Sequence, residues 1–265
     1  MNLQPIGMFD SGVGGLTVLS EIQKILPKED VIYLGDTKRF PYGSKSEQTI
    51  IELSRKCVEF LISKNVKLIV IACGTATSQA LSTLQKEYDI PIIGIIQPTV
   101  EYLKTKVKQA EEIGIIATKG TIRSGEWERQ IKRQIKACNL NSIACPLLAP
   151  IAEEGWLSNK VAQYTIKEYM KPFRNANYLV LGCTHYPLFK NLILQELGNE
   201  VDVINTGEKL SDYLKKYLEE RKWLNPTRKK EYEIYLTDTE SNFIQIAQNL
   251  LQNEYSISKI KRVEI

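Results

Sequence analysis

The chain has 265 residues, of which 43% are apolar and 25% are charged, and its formal net charge is +4. This length and apolar content allow a sizeable core, in one large domain or in two of ordinary size. The small positive excess is spread along the chain without a basic tail or a basic and aromatic stripe, so the composition does not predict a nucleic-acid partner.

The chain begins MNLQPIGMFDSG, which lacks the basic and apolar stretches of a signal peptide. No apolar run approaches the length needed to cross a bilayer. We therefore expect a cytoplasmic protein with no membrane partner. The five cysteines are too few for a disulfide scaffold and form no CxxC pair, so neither a disulfide framework nor a metal site is predicted.

Short runs rich in Ile and Val recur along the chain, and each is followed by a polar turn and then by residues with helical spacing. Most runs are unbroken rather than alternating, which is typical of strands covered on both faces. The fold class predicted is α/β, with mainly parallel sheets. The predicted strands cover residues 6–9, 31–34, 68–72, 92–96, 113–117, 178–181 and 232–236.

Three segments between these runs carry apolar residues three and four positions apart, and they predict helices over 49–64, 100–109 and 209–221. Pro98 and residues 205–207 are the candidate positions where the chain passes between two domains. We predict a first domain of residues 1–97 plus 208–265 and a second domain of residues 98–207.

A weak internal sequence repeat predicts that the two domains are similar. Ile-Gly opens a predicted strand at Gly7 and again at Gly114, and a cysteine ends a later strand in each half, Cys73 in IVIACGTAT and Cys183 in LVLGCTHYP. Ligands of open parallel sheets bind beyond the carboxyl ends of the strands. Two such halves that face each other across a central cleft would bring both cysteines to that cleft.

Two thiols suit a reaction that removes a proton from one face of a carbon and returns one to the other face. The ordinary cysteine pKa of about 8.5 lets one thiolate and one thiol coexist after modest tuning. Cys57 and Cys138, expected on helices, and Cys145, before a proline, are interpreted as buried hydrophobic residues.

Five strings in order, FDSGVGGLTVL, LGDTKRFPYGSKS, IACGTAT, CPLLAPIAEEG and LGCTHYP, resemble bacterial glutamate racemases over nearly the whole chain. The resemblance implies two α/β domains, no cofactor and no metal, interconversion of L- and D-glutamate for peptidoglycan, and a homodimer. It also implies that Cys73 acts on D-glutamate and Cys183 on L-glutamate.

The resemblance further implies that Asp10 assists one thiol and His185 the other. Asp10 could otherwise cap the following helix, and a lone histidine is often structural, although its ordinary pKa of about 6.5 allows tuning of a nearby thiol. Glu153 matches a glutamate near the entrance of the site, with Glu154 beside it as the alternative.

An acidic substrate needs hydrogen-bond donors for two carboxylates. The sequence offers backbone amides near Gly12 and Gly43, and hydroxyl groups at five further positions: Ser11, Thr75, Thr118, Thr121 and Thr184. By resemblance, Tyr42, Gly43 and Thr184 lie near the side-chain carboxylate and Thr75 near the backbone end of the substrate. Pro41 belongs to the same turn, which by itself would read as an ordinary surface turn.

Gly74 departs from the family pattern, which has asparagine after the first cysteine, and Asn205-Thr206 stands where relatives more often carry Asp-Ser. The missing amide would cost about 1 kcal/mol of substrate binding. We therefore expect Gly74→Asn to improve the apparent affinity for glutamate.

Four alternatives remain open. They are an aspartate racemase or another two-thiol relative, a catalytically weakened ligand-binding or regulatory relative marked by Gly74, a thiol oxidoreductase disfavoured by the absent CxxC, and a nucleotide site at DSGVGG, which matches no phosphate-binding motif.

Overall fold

The computed structural model describes residues 2–226, 232–239 and 260–265. Its strands form a six-stranded and a four-stranded sheet, and every pairing among them is parallel. The predicted α/β class with mainly parallel sheets is confirmed. The strands are β1 Ile6–Asp10, β2 Val31–Gly35, β3 Leu68–Ile71, β4 Ile92–Gly94, β5 Glu112–Ala117, β6 Asn139–Ala144, β7 Tyr178–Leu181, β8 Asp202–Asn205, β9 Tyr232–Leu236 and β10 Ile260–Arg262.

The two sheets share one topology. The first has the order β10-β9-β2-β1-β3-β4 and the second has the order β6-β5-β7-β8. The segment β2-β1-β3-β4 therefore corresponds strand for strand to β6-β5-β7-β8. Gly7 on β1 and Gly114 on β5 lie on equivalent strands. The strands that precede Cys73 and Cys183, β3 and β7, are equivalent as well. The internal repeat in the sequence thus reflects two similar halves.

Helices cover both sheets. Their bounds are α1 Gly15–Ile25, α2 Glu47–Ser63, α3 Gly74–Glu87, α4 Ile96–Lys106, α5 Lys119–Ser124, α6 Glu126–Gln134, α7 Leu148–Glu153, α8 Lys160–Met170, α9 Lys190–Leu197 and α10 Thr206–Glu220. The three predicted helices are found as α2, α4 and α10. Cys138 lies between α6 and β6 rather than on a helix, because α6 ends at Gln134.

One apolar core joins the two halves. Leu16 of α1, Val100 of α4 and Leu210 of α10 are buried in the same cluster as Val70 of the first sheet and Val180 of the second. Separate clusters lie on the other face of each sheet. Burial of this extent is the main favourable contribution to folding.

The chain passes from the first sheet to the second through α4, which contains Pro98 in its first turn, and returns through α10, which begins at Thr206. The exact division into residues 1–97 plus 208–265 and residues 98–207 stays a prediction, and part of the first domain lies outside the described residues. Within the described ranges, no helix has both the length and the apolar character required to cross a bilayer.

Candidate active site

A cavity of about 160 Å³ lies where the carboxyl ends of the two sheets face each other. This is the place where open parallel sheets bind their ligands. Both halves contribute to the wall, and so do both strand-end cysteines. The lining residues are Ser11, Phe40, Pro41, Tyr42, Gly43, Ser44, Cys73, Gly74, Thr75, Thr118, Lys119, Pro146, Ala149, Pro150, Cys183, Thr184 and His185.

Cys73 lies between the end of β3 and the start of α3. Its Sγ accepts a hydrogen bond from the backbone N–H of Ala76 at 3.5 Å, and it donates to Ser11 Oγ at 3.7 Å. Burial, reinforced by the negative charge of nearby Asp10, raises the pKa of the Cys73 thiol to about 12. Cys73 is therefore held as a neutral thiol at neutral pH.

Cys183 follows β7 and is linked through His185 to Glu153. His185 Nδ1 lies 3.7 Å from Cys183 Sγ, and His185 Nε2 lies 2.7 Å from Glu153 Oε1. Burial alone lowers the pKa of His185, but its hydrogen bonds to Cys183 and Glu153 outweigh burial and raise that pKa to about 10. At neutral pH the imidazole is therefore protonated, and both of its ring nitrogens are donors, Nδ1 toward Cys183 and Nε2 toward Glu153.

Asp10 ends β1 and is fully buried. One carboxylate oxygen accepts the Gly12 N–H at 3.0 Å, and the other accepts the Thr184 hydroxyl at 3.3 Å. Burial raises the pKa of Asp10, opposed by the charge of His185. Asp10 thus connects the first half to the residue that follows Cys183.

The turn that carries Pro41 and Gly43 is anchored from behind by Asp36. Tyr42 donates its hydroxyl to Asp36 Oδ2 at 2.5 Å, and Thr237 donates to Oδ1 at 2.9 Å. The Tyr42 hydroxyl is therefore already bound to Asp36. Tyr42 lines the cavity and can contact a substrate through its ring and backbone.

Three threonine hydroxyls join the two halves at one edge of the cavity. Thr75 on α3 lies 2.8 Å from Thr118, which lies 2.9 Å from Thr121. Thr118 also caps α5 by accepting the Thr121 N–H. Thr75 and Thr118 line the cavity, whereas Thr121 lies behind them.

The structure brings together nearly all the residues selected from sequence. Asp10, Thr121 and Glu153 contact lining residues without lining the cavity themselves. Gly12 does not line it either, and its N–H, expected to serve the substrate, donates to Asp10. Sequence reasoning missed six lining residues: Phe40, Ser44, Lys119, Pro146, Ala149 and Pro150. Phe40 and Ser44 flank selected residues in FPYGS, and Pro146, Ala149 and Pro150 lie in CPLLAPIAEEG, one of the strings that carried the resemblance. Lys119 follows the selected Thr118 and is exposed.

Gly74 changes one expectation. A Cβ atom at this position would overlap the backbone carbonyl oxygen of Gly182, which belongs to the other half. Asparagine can therefore be introduced here only if the backbone around Gly74 or Gly182 shifts. The expected gain in affinity from Gly74→Asn stays a prediction, and this overlap opposes it.

In the parts of the chain that the structure describes, no group of three or more His, Cys, Asp or Glu side chains is placed to hold a metal ion.

Comparison with known proteins agrees with this arrangement. The family model described as Asp/Glu/Hydantoin racemase matches residues 6–209. A glutamate racemase from Geobacter metallireducens is 41% identical over 254 residues, which cover 95% of this chain and 94% of that protein.

Two solved structures are similar over their whole length. A glutamate racemase from Francisella tularensis, crystallised in complex with D-glutamate, has a TM-score of 0.91 at 36% identity and covers 100% of this chain and 98% of its own. A glutamate racemase isoform from Bacillus anthracis has a TM-score of 0.94 at 35% identity, with coverage of 100% and 99%.

Proposed function

Because the chain belongs to the Asp/Glu/hydantoin racemase family and is an amino-acid racemase, we propose that it interconverts L- and D-glutamate without a cofactor. In this proposal Cys73 and Cys183 exchange the α-proton. The observation that carries it is that the two thiols follow equivalent strands of the two halves and line the same small cavity.

The surroundings of the two thiols differ and support opposite roles. Cys183 Sγ lies 3.7 Å from protonated His185 and is the base of the proposal for L-glutamate, whereas the raised pKa of about 12 keeps Cys73 protonated as the acid. With L-glutamate, the Cys183 thiolate takes the α-proton and the Cys73 thiol gives its proton to the opposite face of the carbanion. This leaves D-glutamate, a Cys183 thiol and a Cys73 thiolate, and proton exchange with water restores the starting state.

Two further residues assist the thiols in this mechanism. Asp10 acts on the side of Cys73, whose pKa its charge helps to raise. His185, oriented by Glu153 at 2.7 Å, acts on the side of Cys183. Two groups whose surroundings push their proton affinities apart are what paired acid and base chemistry requires.

The lining of the cavity supports a small acidic substrate. Its volume of about 160 Å³ lies below the roughly 300–1,000 Å³ of sites for drug-sized ligands. Ser11, Thr75, Thr118 and Thr184 supply hydroxyl groups to the lining. The backbone of Gly43 also lines the cavity and can take part in substrate binding. The relatives named as glutamate racemases, one of them with D-glutamate bound, favour glutamate over aspartate.

The biological role proposed is the supply of D-glutamate for peptidoglycan, in the cytoplasm and as a homodimer. This part rests on the family resemblance. Light scattering of the purified chain at working concentration tests the dimer, and a molar mass of about 30 kDa, that of one chain, would contradict it.

The deciding experiment follows L-glutamate, D-glutamate and each enantiomer of aspartate in heavy water, by optical rotation and by loss of the α-hydrogen NMR signal. We expect racemisation of glutamate with deuterium incorporation and little reaction of aspartate, without any added cofactor. Faster turnover of aspartate would make the chain an aspartate racemase. Absence of turnover with both would favour a weakened ligand-binding relative.

A further inference from the structure

We propose that Gly74 is a positioning residue: its missing side chain lets the backbone beside Cys73 lie directly against the backbone beside Cys183, and this contact sets the separation of the two thiols. The inference rests on the proposed two-thiol function. It assigns a role to the residue at which this chain departs from the family pattern.

The contact needs glycine for space and not for backbone conformation. A Cβ at Gly74 would overlap the carbonyl oxygen of Gly182, which immediately precedes Cys183. Among the described glycines, the left-handed backbone angles occur at Gly125, Gly155 and Gly198, so Gly74 has no such requirement. Glycine is moreover a poor helix former, yet it occupies the first residue of α3. The close approach to Gly182 explains its presence there.

Neither side of the contact can yield easily. The N–H of Gly182 donates to the carbonyl of Ile116 at 2.8 Å, which fixes this segment to β5, and the Trp127 ring packs directly behind it. On the other side, Cys73 Sγ accepts from the N–H of Ala76 and so holds the first turn of α3. An added methyl group therefore requires one of these two backbone segments to shift, and the shift inferred here is a separation of the two halves of this chain.

Hydrogen bonds between the halves lie on both sides of this contact. Thr75 pairs with Thr118 at 2.8 Å, and Thr17 donates to the carbonyl of Thr184 at 2.8 Å. They hold the two backbones together at the cavity. Separation at Gly74 would strain these bonds and widen the gap between the thiols.

Other glycines that face the opposite half make milder contacts. A Cβ at Gly14 would meet the side chains of Thr184 and His185, and one at Gly43 would meet the side chain of Thr118, and side chains can rotate. A Cβ at Gly120 would also approach a backbone oxygen of the other half, that of Gly43, but at 3.0 Å. The overlap with backbone is much deeper at Gly74.

Gly74→Ala should therefore separate proton removal from proton delivery. In heavy water, the Cys183 thiolate still takes the α-proton of L-glutamate, and the resulting thiol exchanges with solvent. The carbanion then either receives deuterium back from Cys183, which returns labelled L-glutamate, or receives a hydrogen from Cys73, which gives D-glutamate. A wider gap favours the first outcome, so the ratio of deuterium exchange in recovered substrate to racemisation rises.

The test measures this ratio by NMR and optical rotation for the parental protein, Gly74→Ala, and the matched control Gly7→Ala. The control adds a methyl group against the side chain of Val66 within the first half, remote from the cavity. We expect kcat of Gly74→Ala to fall by about 10²-fold, as for misplacement on the order of 1 Å, with a raised ratio. Gly7→Ala should keep the parental ratio.

A reduced rate with the parental ratio would overturn the inference, because a smaller fraction of active enzyme alone gives that result. An unchanged rate would overturn it as well. Gly74→Ser makes the same overlap, favours a helix N-terminus and serves as the second variant if the alanine variant does not fold. Cys73→Ser and Cys183→Ser, measured alongside, test the two-thiol function separately. If both abolish racemisation while Gly74→Ala behaves as the parent, only the role of Gly74 fails.

Discussion

Replacing Glu153 with glutamine should lower the pKa of His185 by about one unit. The native contact is a charge-assisted hydrogen bond of 2.7 Å, and only 17% of the Glu153 side chain is exposed. A glutamine oxygen can still accept from Nε2, so the loss is the difference between a charged hydrogen bond of about 1.5–3 kcal/mol and a neutral one of about 0.5–1.5 kcal/mol. About 1.4 kcal/mol corresponds to one pKa unit.

The assay uses the fact that His185 is the single histidine of the chain. In protein without an added histidine tag, the imidazole C2–H gives one NMR signal whose shift reports protonation directly. We expect a midpoint of about 10 in the parental protein and one about a unit lower in Glu153→Gln. Because protonated His185 is the hydrogen-bond partner of Cys183 in the proposed mechanism, loss of its proton should lower kcat/KM, and this alkaline decline should move down by the same amount.

Glu154→Gln is the matched control, since Glu154 is adjacent in sequence but exposed. It should leave the midpoint in place. A parental midpoint near the ordinary 6.5, or an equal shift in both variants, would refute the coupling of Cys183, His185 and Glu153.

Iodoacetamide at neutral pH should alkylate Cys183 before Cys73, because burial raises the pKa of Cys73 to about 12 whereas protonated His185 lies 3.7 Å from Cys183. Peptide mass spectrometry checks the order, and initial labelling at Cys73 would contradict the assigned protonation states. Lys67→Met should lower the free energy of unfolding by about 3–5 kcal/mol, since it leaves Glu29 buried without its ion-pair partner. Urea unfolding measures this against Lys171→Met, whose exposed pair is worth about 0–1 kcal/mol, and equal losses in both variants would contradict the estimate.

Sequence reasoning found the central strands and β4, an edge strand whose three residues are all buried, and it missed the other edge strands. The central strands are buried on both faces and appear as unbroken apolar runs. The three strands that it missed, β6, β8 and β10, lie at sheet edges. Their sequences NLNSIA, DVIN and IKR include polar residues and side chains that are partly or fully exposed. Hydrophobic patterning detects burial, and edge strands provide less of it.

The start of α4 shows a second limit. The predicted helix began at residue 100, after Pro98, which was interpreted as a candidate passage between domains, whereas the helix begins at Ile96 and includes Pro98. A proline in the first turn removes an N–H group that would have no partner within the helix in any case. Such a proline is compatible with a helix start and does not mark its boundary.

Contacts in the site between residues distant in sequence could not be read from the sequence. Thr237 supports the turn of Tyr42 through Asp36, across 201 residues, and Thr17 binds the carbonyl of Thr184 across 167 residues. Strings of sequence locate the residues of a site, but the distances between the halves depend on how two sheets pack. The overlap that a side chain at Gly74 would produce is a consequence of that packing.

The two-thiol account is tested most directly by α-hydrogen exchange of each glutamate enantiomer in heavy water with Cys73→Ser and Cys183→Ser. Each variant should lose racemisation. Cys73→Ser should still exchange the α-hydrogen of L-glutamate alone, and Cys183→Ser that of D-glutamate alone. Racemisation at the parental rate by either variant, or exchange of the same enantiomer by both, would contradict the account.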